Sequence, residues 1–272
     1  MSKKSAFIFT NYNNSDLTKN LVISLLKSIT ENNLVDIVIV DNNSTSNEVI
    51  KLKKLKKKYS LKVYFLQENI GYFRGLNYGL NSINCKEYDF VVIGNNDLIF
   101  ENFIDSVYKS KFVNKYAVIS PDIITLDGFH QNPHVLKPPS KFRELIYDIY
   151  FKSFFLSRII LFISKLTKSW TRRGDEDNYE IPQILIQGYG ACYILTPLFF
   201  KNFHKLWSPT FLMYEEFFLS LQLERKNLKI FYDPSIKVIH MDHATVSKLP
   251  SKKMWEITKV SHKEYRKYVK IW

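Results

Sequence analysis

Short apolar runs alternate along the first hundred positions with stretches of helical spacing. Ala6 to Phe9 is an unbroken apolar run and predicts a first strand. Asp16 to Ile29 sets Leu17, Leu21, Ile23, Leu25 and Leu26 on one face of a predicted helix. Val35 to Val40 is apolar except for Asp36, which suits a strand covered on both faces. Asn47 to Tyr59 predicts a second helix with six lysines, most of them solvated. Leu61 to Leu66 predicts a third strand, Arg74 to Ile83 a third helix and Tyr88 to Ile93 a fourth strand. This strand–helix order predicts an α/β fold with a mainly parallel central sheet, wound by right-handed crossovers and flanked by helices.

The second half is less regular. Ala117 to Ser120 predicts a short strand ending at Pro121, and Pro133, Pro138 and Pro139 mark a loop. Lys141 to Lys168 is helical in composition. Glu144, Asp148 and Lys152 recur every fourth residue there, but Phe151, Phe155 and Phe162 fall on or near the same stripe. Ile181 to Leu195 reads as strand, glycine turn, strand. Pro197 to Leu206 predicts a short helix and Phe211 to Lys226 another, opening on Glu215-Glu216. Lys229 to Tyr232 and Ile236 to His240 predict short strands, and Lys248 to Trp272 is a basic, partly helical tail.

The 272 residues suffice for one large α/β domain, and 46% hydrophobic content allows a substantial core. With 39 Lys plus Arg against 26 Asp plus Glu, the formal charge is +13. That excess suits an anionic partner, whether nucleotide phosphates, a membrane surface or nucleic acid. A lysine- and asparagine-rich coding bias explains part of it. Cys85 and Cys192 are the only cysteines and lack metal-type spacing, so a disulfide framework is not expected and a reducing cytoplasm is. Met1-Ser2-Lys3-Lys4 runs straight into a strand, unlike a signal peptide, and no stretch reaches the roughly 18 apolar residues of a spanning helix. Between Lys141 and Arg173 the basic residues far outnumber Glu144 and Asp148. Basic charge beside Phe, Leu and Ile matches an interfacial membrane helix, and equally a helix packed on the domain with a solvated basic edge.

Candidate chemistry gathers at the strand ends. Four polar clusters follow the four strands: Thr10 to Asn13, Asp41 to Ser44, Asn69 to Gly79, and Gly94-Asn95-Asn96-Asp97. In a parallel sheet all four share the carboxyl rim, where open α/β folds bind ligands. One carboxylate held there can share a magnesium ion with substrate phosphates. Gly71 and Gly75 permit positive φ or close backbone approach. The dinucleotide fingerprint and the P-loop Lys-Ser/Thr pair are both missing from this pattern.

These motifs, in order, resemble those of family-2 glycosyltransferases of the GT-A type, especially the rhamnosyltransferase-like branch that builds bacterial surface glycans. The matching residues are Phe9 to Asn13, Val40 to Ser44, Glu68 to Gly71 through Asn77-Tyr78-Gly79, Gly94 to Asp97, Gly190-Ala191-Cys192, Phe211 to Glu216 and Val238-Ile239-His240. The resemblance spans roughly residues 5 to 245 and implies a GT-A Rossmann-like fold. It implies a domain over 1–245, with a nucleotide-binding half at 1–100, an acceptor half at 101–245 and a basic helical insertion at 141–173. Residues 246–272 would form a basic C-terminal extension.

The same resemblance implies roles. Thr10 and Tyr12 line the nucleotide pocket, Asp41 contacts the base, and Asn69, Gly71, Asn77 and Asn96 complete the donor site. Asn96 and Asp97 stand where the family carries its Asp-x-Asp motif, with Asn95 replacing the first acid. Asp97 is then the sole carboxylate for Mg2+ or Mn2+, with His240, or its rival His243, completing the shell. Glu216 is the base of inverting transfer and Glu215 its neighbouring orienter. Two adjacent carboxylates repel, so a closed site raises the pKa of at least one.

The implied reaction moves a sugar from a nucleotide-diphosphate donor, dTDP-rhamnose or a UDP-hexose, to a glycan or lipid-linked acceptor in polysaccharide, O-antigen or capsule assembly. The expected location is cytoplasmic, peripheral at the inner face of the membrane where the basic segment meets anionic lipid. Two other classes compete less well. A sugar nucleotidyltransferase calls for a glycine-rich basic loop after strand one, and Thr10 to Asn13 has neither glycine nor a basic residue. A nucleic-acid-binding module calls for basic and aromatic residues on one face, whereas the lysine runs here are scattered.

Overall fold

The computed structural model describes residues 3–167, 178–241 and 251–271. The chain opens β1 (Lys3–Asn11), α1 (Ser15–Lys27), β2 (Asn33–Asp41), α2 (Ser46–Tyr59), β3 (Lys62–Phe65), α3 (Tyr72–Asn81) and β4 (Phe90–Asn95). Then follow β5 (Leu98–Ile99), α4 (Phe103–Lys109), β6 (Val118–Thr125), α5 (Lys141–Tyr150), α6 (Phe154–Leu166), β7 (Gln183–Leu185) and β8 (Cys192–Leu195). The described chain ends with α7 (Pro197–Asn202), α8 (Glu215–Glu224), β9 (Ile230–His240) and α9 (Lys252–Tyr265).

One sheet runs β3-β2-β1-β4-β8-β6-β9-β5, with β7 also on β9. Strands β3, β2, β1 and β4 are mutually parallel. Beyond β4 the sheet becomes mixed, because β8 enters antiparallel between β4 and β6. The two-residue side-chain period of each central strand sorts its residues onto two cores. Phe7 and Phe9 of β1 join Leu21, Leu25 and Leu52 of α1 and α2 on one face. Ala6 and Ile8 join Phe73 and Leu76 of α3, Phe199 of α7 and Leu219 of α8 on the other. The continuous apolar runs of β1, β2 and β4 follow from this double cover.

Three local expectations change. β6 does not stop at Pro121 but continues to Thr125, because Pro121 sits where the β6–β9 register slips and its missing N–H is tolerated. The same slip merges the two expected short strands at 229–240 into the single bulged β9. The strand, glycine turn and strand expected over Ile181 to Leu195 are present as β7 and β8, and β7 pairs with β9. The long helix expected over 141–168 is broken between Tyr150 and Phe154, where Ser153 caps α6 by accepting from Leu156 N at 3.1 Å.

Candidate active site

Because β3, β2, β1 and β4 are parallel, the turns after them share one rim, and side-chain hydrogen bonds stitch these turns together. Asn11, fully buried at the end of β1, is the hub. Its Nδ2 donates to Asp41 Oδ1 at 2.7 Å and to Ser44 Oγ at 3.1 Å. Its Oδ1 accepts from Thr18 Oγ1 at 2.8 Å and from Asn96 Nδ2 at 3.0 Å. Asn42 Nδ2 donates to the Gly71 carbonyl at 3.0 Å, joining the second cluster to the third. Four segments remote in sequence thus form one connected surface.

Several expected donor-site residues hold this rim in shape. Asp41 is buried, and Ser44 N donates to its Oδ2 at 3.1 Å, closing an Asx-type turn. Asn96 also donates to Asn14 O at 3.0 Å and to Thr18 Oγ1 at 2.8 Å, tying the end of β4 to the start of α1. Asn77 pairs with both backbone groups of Leu206, donating to its carbonyl at 2.9 Å and accepting its N–H at 2.8 Å. Asn69 Oδ1 accepts from Gly71 N at 3.0 Å. Gly71 has φ +92°, and a Cβ there would collide with the Phe211 carbonyl oxygen, so only glycine lets this turn meet the loop before α8. Thr10 is half-buried, while Tyr12, at 53% exposure, is open to stack on a ligand.

Asp97 and His240 meet across the β5–β9 pair. Leu98 is in register with His240, and Met241 N donates to the Asp97 carbonyl at 2.8 Å. Asp97 Oδ1 lies 3.1 Å from His240 Nε2, yet both atoms are buried without a hydrogen bond among the described residues. On its other side His240 Nδ1 lies 2.7 Å from Gln131 Oε1. An amide oxygen there sets the ring proton on Nδ1 and turns the Nε2 lone pair toward Asp97. Two acceptors this close repel unless a cation or proton lies between them. The pair therefore fits a divalent cation that takes its remaining ligands from phosphate and water. No group of three or more His, Cys, Asp or Glu side chains suited to a metal occurs among the described residues, and within these the pair Asp97 and His240 is what faces a cation. Gln131 went unseen in the sequence, lying 109 residues from its partner. His243 lies outside the described residues.

The acidic pair opens α8. Met213 and Tyr214 both have left-handed backbones, with φ +71° and +70°, and turn the chain so that Glu215 and Glu216 face inward. Glu215 is buried, and its Oε1 accepts no hydrogen bond among the described residues. Burial pushes its carboxyl up to about 8, and the charge of Glu216 adds to this. Burial also raises Glu216, but its own N–H and that of Gly190 donate to it and oppose the shift. Burial and the charge of Glu216 together let Glu215 keep its proton to about pH 8. Tyr72 and Tyr193 roof the pair, donating to the carbonyls of Gly190 at 2.8 Å and Gly188 at 2.6 Å. Burial first, then Glu215 and also Asp97, hold the Tyr72 phenol protonated. Tyr72 thus feels both carboxylate sites, and its place directly after the helix-opening Gly71 was the signal for it.

Two predictions arise here. The folded pKa of Glu215 exceeds its ordinary 4.5, so its contribution to stability is full below about pH 4.5 and is lost as pH rises through about 8. Glu215→Gln removes that loss, so thermal denaturation should show the variant about 2–6 °C more stable than the parent at pH 9 and nearly equal at pH 5. At Gly190 an added Cβ would meet the Glu216 carboxylate at Oε1. Gly190→Ala should therefore slow turnover by about tenfold or more by displacing the Glu216 carboxylate, while nucleotide-induced thermal stabilisation persists.

The C-terminal segment also reaches this site. Tyr214 OH lies 2.8 Å from His262 Nδ1, and His262 Nε2 lies 2.8 Å from Asp148 Oδ1 of α5. Arg266 clamps the same helix, 2.6 Å from Asp148 Oδ1 and 2.7 Å from Glu144 Oε2. Ser261 Oγ donates to the Leu212 carbonyl at 2.6 Å. α9 therefore grips the left-handed turn that aims Glu215 and Glu216, over separations of 48 residues and more that no local pattern signals.

The sequence profile of the glycosyl transferase family 2 matches residues 6–161, more than half of the chain. The chain belongs to glycosyl transferase family 2. Asp41, Gly71 and Asp97 of this family-2 chain lie inside the matched segment, and Glu216 and His240 lie beyond it. No curated protein matches it significantly. Among solved structures it is similar to GalNAc-T7 crystallised with UDP, GalNAc and Mn2+, at TM-score 0.58 and 13% identity over 88% of this chain and 44% of that one. It is also similar to TarS of S. aureus, at TM-score 0.55 and 15% identity over 98% of this chain and 41% of that one. A 1–349 form of TarS aligns at TM-score 0.50 and 16% identity over 88% and 60%. The family-2 chain thus spans between 41% and 60% of these neighbours' lengths and shares their α/β GT-A fold.

Proposed function

We propose that this chain is a metal-dependent, inverting glycosyltransferase. It transfers a sugar from a nucleoside-diphosphate donor, dTDP-rhamnose or a UDP-hexose, to a hydroxyl of a glycan or lipid-linked acceptor in bacterial polysaccharide, O-antigen or capsule assembly. The carrying observation is that the facing Asp97–His240 pair and the acidic pair of buried Glu215 and half-buried Glu216 both bear on Tyr72, at one end of a rim formed by four strand-end turns. The GalNAc-T7 neighbour, solved with UDP, GalNAc and Mn2+, supports the nucleoside-diphosphate and divalent-metal parts of this reading.

In this reaction the acceptor oxygen attacks the anomeric carbon and its proton passes to Glu216. The bond from that carbon to the diphosphate oxygen breaks, and its electrons leave with the diphosphate. Glu216 suits the base because Glu215, protonated to about pH 8, adds no second negative charge beside it. Asp97 Oδ1 and His240 Nε2 would hold Mg2+ or Mn2+, which offsets the charge that grows on the departing diphosphate. Asp41 and Tyr12 frame the base of the nucleotide, the first through the turn it braces and the second as an exposed ring.

A thermal-shift series with nucleoside diphosphates and nucleotide sugars, with and without Mn2+, tests this. One nucleotide should raise the melting temperature, and more so with Mn2+. No response to any nucleotide, with or without the metal, would overturn the reading.

A further inference from the structure

The pair α5–α6 wears its apolar residues on the side that faces water. On α6, Phe155, Ile159, Phe162, Ile163 and Leu166 recur at helical spacing and are all exposed, Phe155 by 73% and Leu166 by 72%. On the inner side Ser157 is buried, its hydroxyl turned back to the Phe154 carbonyl at 2.6 Å. Phe142 at the start of α5 is 72% exposed. A helix folded only for water has the opposite polarity, and single exposed apolar residues do not form such a stripe.

Charge is sorted in the same way. The two acids of α5, Glu144 and Asp148, turn inward to Arg266 and His262. Lys141, Lys152, Arg158 and Lys165 are exposed, so the outward charge of these two helices is basic. An apolar stripe edged by basic side chains is complementary to anionic lipid headgroups above acyl chains. It is poorly suited to a second copy of this chain, which would bring the same basic edges together across a two-fold axis. The 13 residues of α6 span about 20 Å, and no helix among the described residues is long and apolar enough to cross a bilayer.

We propose that the outer face of α5–α6 is a docking surface for an anionic bilayer, lying in the plane of the headgroups with Phe155, Phe162 and Leu166 inserted. This inference stands apart from the proposed reaction. α5 would then carry the membrane face outside and, through Asp148 and His262, brace the turn before Glu215 inside.

Flotation of the full chain tests it, with vesicles of phosphatidylcholine containing about one-third phosphatidylglycerol and with phosphatidylcholine alone. The parent should float with the anionic vesicles at least about tenfold more than with the neutral ones. The double variant Phe155→Ser/Phe162→Ser and the charge reversal Arg158→Glu/Lys165→Glu should each lose about tenfold or more of that binding at an unchanged melting temperature. No binding to anionic vesicles would overturn the proposal. So would binding that survives loss of the two phenylalanines, which would mark general attraction by a basic protein. A dimer in solution that Phe155→Ser/Phe162→Ser returns to monomer would assign the face to a second copy and overturn it as well.

Discussion

Replacing Glu216 with Gln should lower the rate of sugar transfer by about 10²–10⁴-fold while the protein stays folded and still binds its nucleotide. Gln keeps an oxygen for the Gly190 N–H and fills the same space, but it cannot take a proton from the acceptor. kcat and kcat/KM should fall together, because the lost interaction exists only as the acceptor is deprotonated. Glu215→Gln is the control. Glu215 holds its proton to about pH 8, so a neutral amide resembles its working form, and activity near neutrality should stay within about tenfold of the parent. Burial raises Glu216, so the acid limb of the parent rate profile should lie above the ordinary carboxylate range, with activity growing as pH rises and the base ionises. Loss of turnover in Glu215→Gln with full turnover in Glu216→Gln would exchange the two roles. Full activity in both would remove the pair from catalysis.

Asp97→Ala should abolish the Mn2+-dependent part of nucleotide stabilisation and slow transfer by about 10³-fold or more. Among the described residues only two side chains, Asp97 and His240, face a cation, which leaves ligand positions for the donor diphosphate and water. Metal and nucleotide should consequently bind together, each weakly without the other, and calorimetry of Mn2+ with and without nucleoside diphosphate measures this. Gln131→Ala should weaken Mn2+ binding by about 10–100-fold by freeing the His240 ring to change tautomer. Equal nucleotide stabilisation of Asp97→Ala and parent in Mn2+ would exclude Asp97 as a ligand.

The arrangement also separates rim-building residues from residues that face a ligand. Asp41, Asn69, Asn77 and Asn96 have amide or carboxylate groups engaged within the protein. Their motif positions are visible in sequence, yet a motif cannot tell a side chain that touches the ligand from one that shapes the backbone around it. Substituting Asn77, for example, would loosen the tie between α3 and Leu206 before it altered any direct contact.

Much of the fold was legible in the sequence for a local reason. A strand buried on both faces is apolar throughout, so Ala6–Phe9 and Phe90–Ile93 declare themselves, and the polar turn after each parallel strand must fall on the common rim. The motifs at Asp41, Gly71, Asp97 and Glu215-Glu216 were legible because each lies within a few residues of its element's end. What the sequence withheld depends on non-local pairing. The slip between Pro121 and Asp122, the insertion of β8 between β4 and β6, and the pairing of β7 with β9 are settled by which edges meet, not by propensity. The same holds for the partners that give the site its chemistry. Gln131 sets the tautomer of His240, Tyr72 and Gly190 enclose Glu216, and His262 holds Tyr214, each across a long stretch of chain. By itself the sequence determined the layered α/β core, the rim and the acidic groups upon it, because period and turn chemistry are local. Only the tertiary structure decided which of those groups are buried, paired or left facing one another, because burial and charge coupling arise from segments that meet only once the chain is folded.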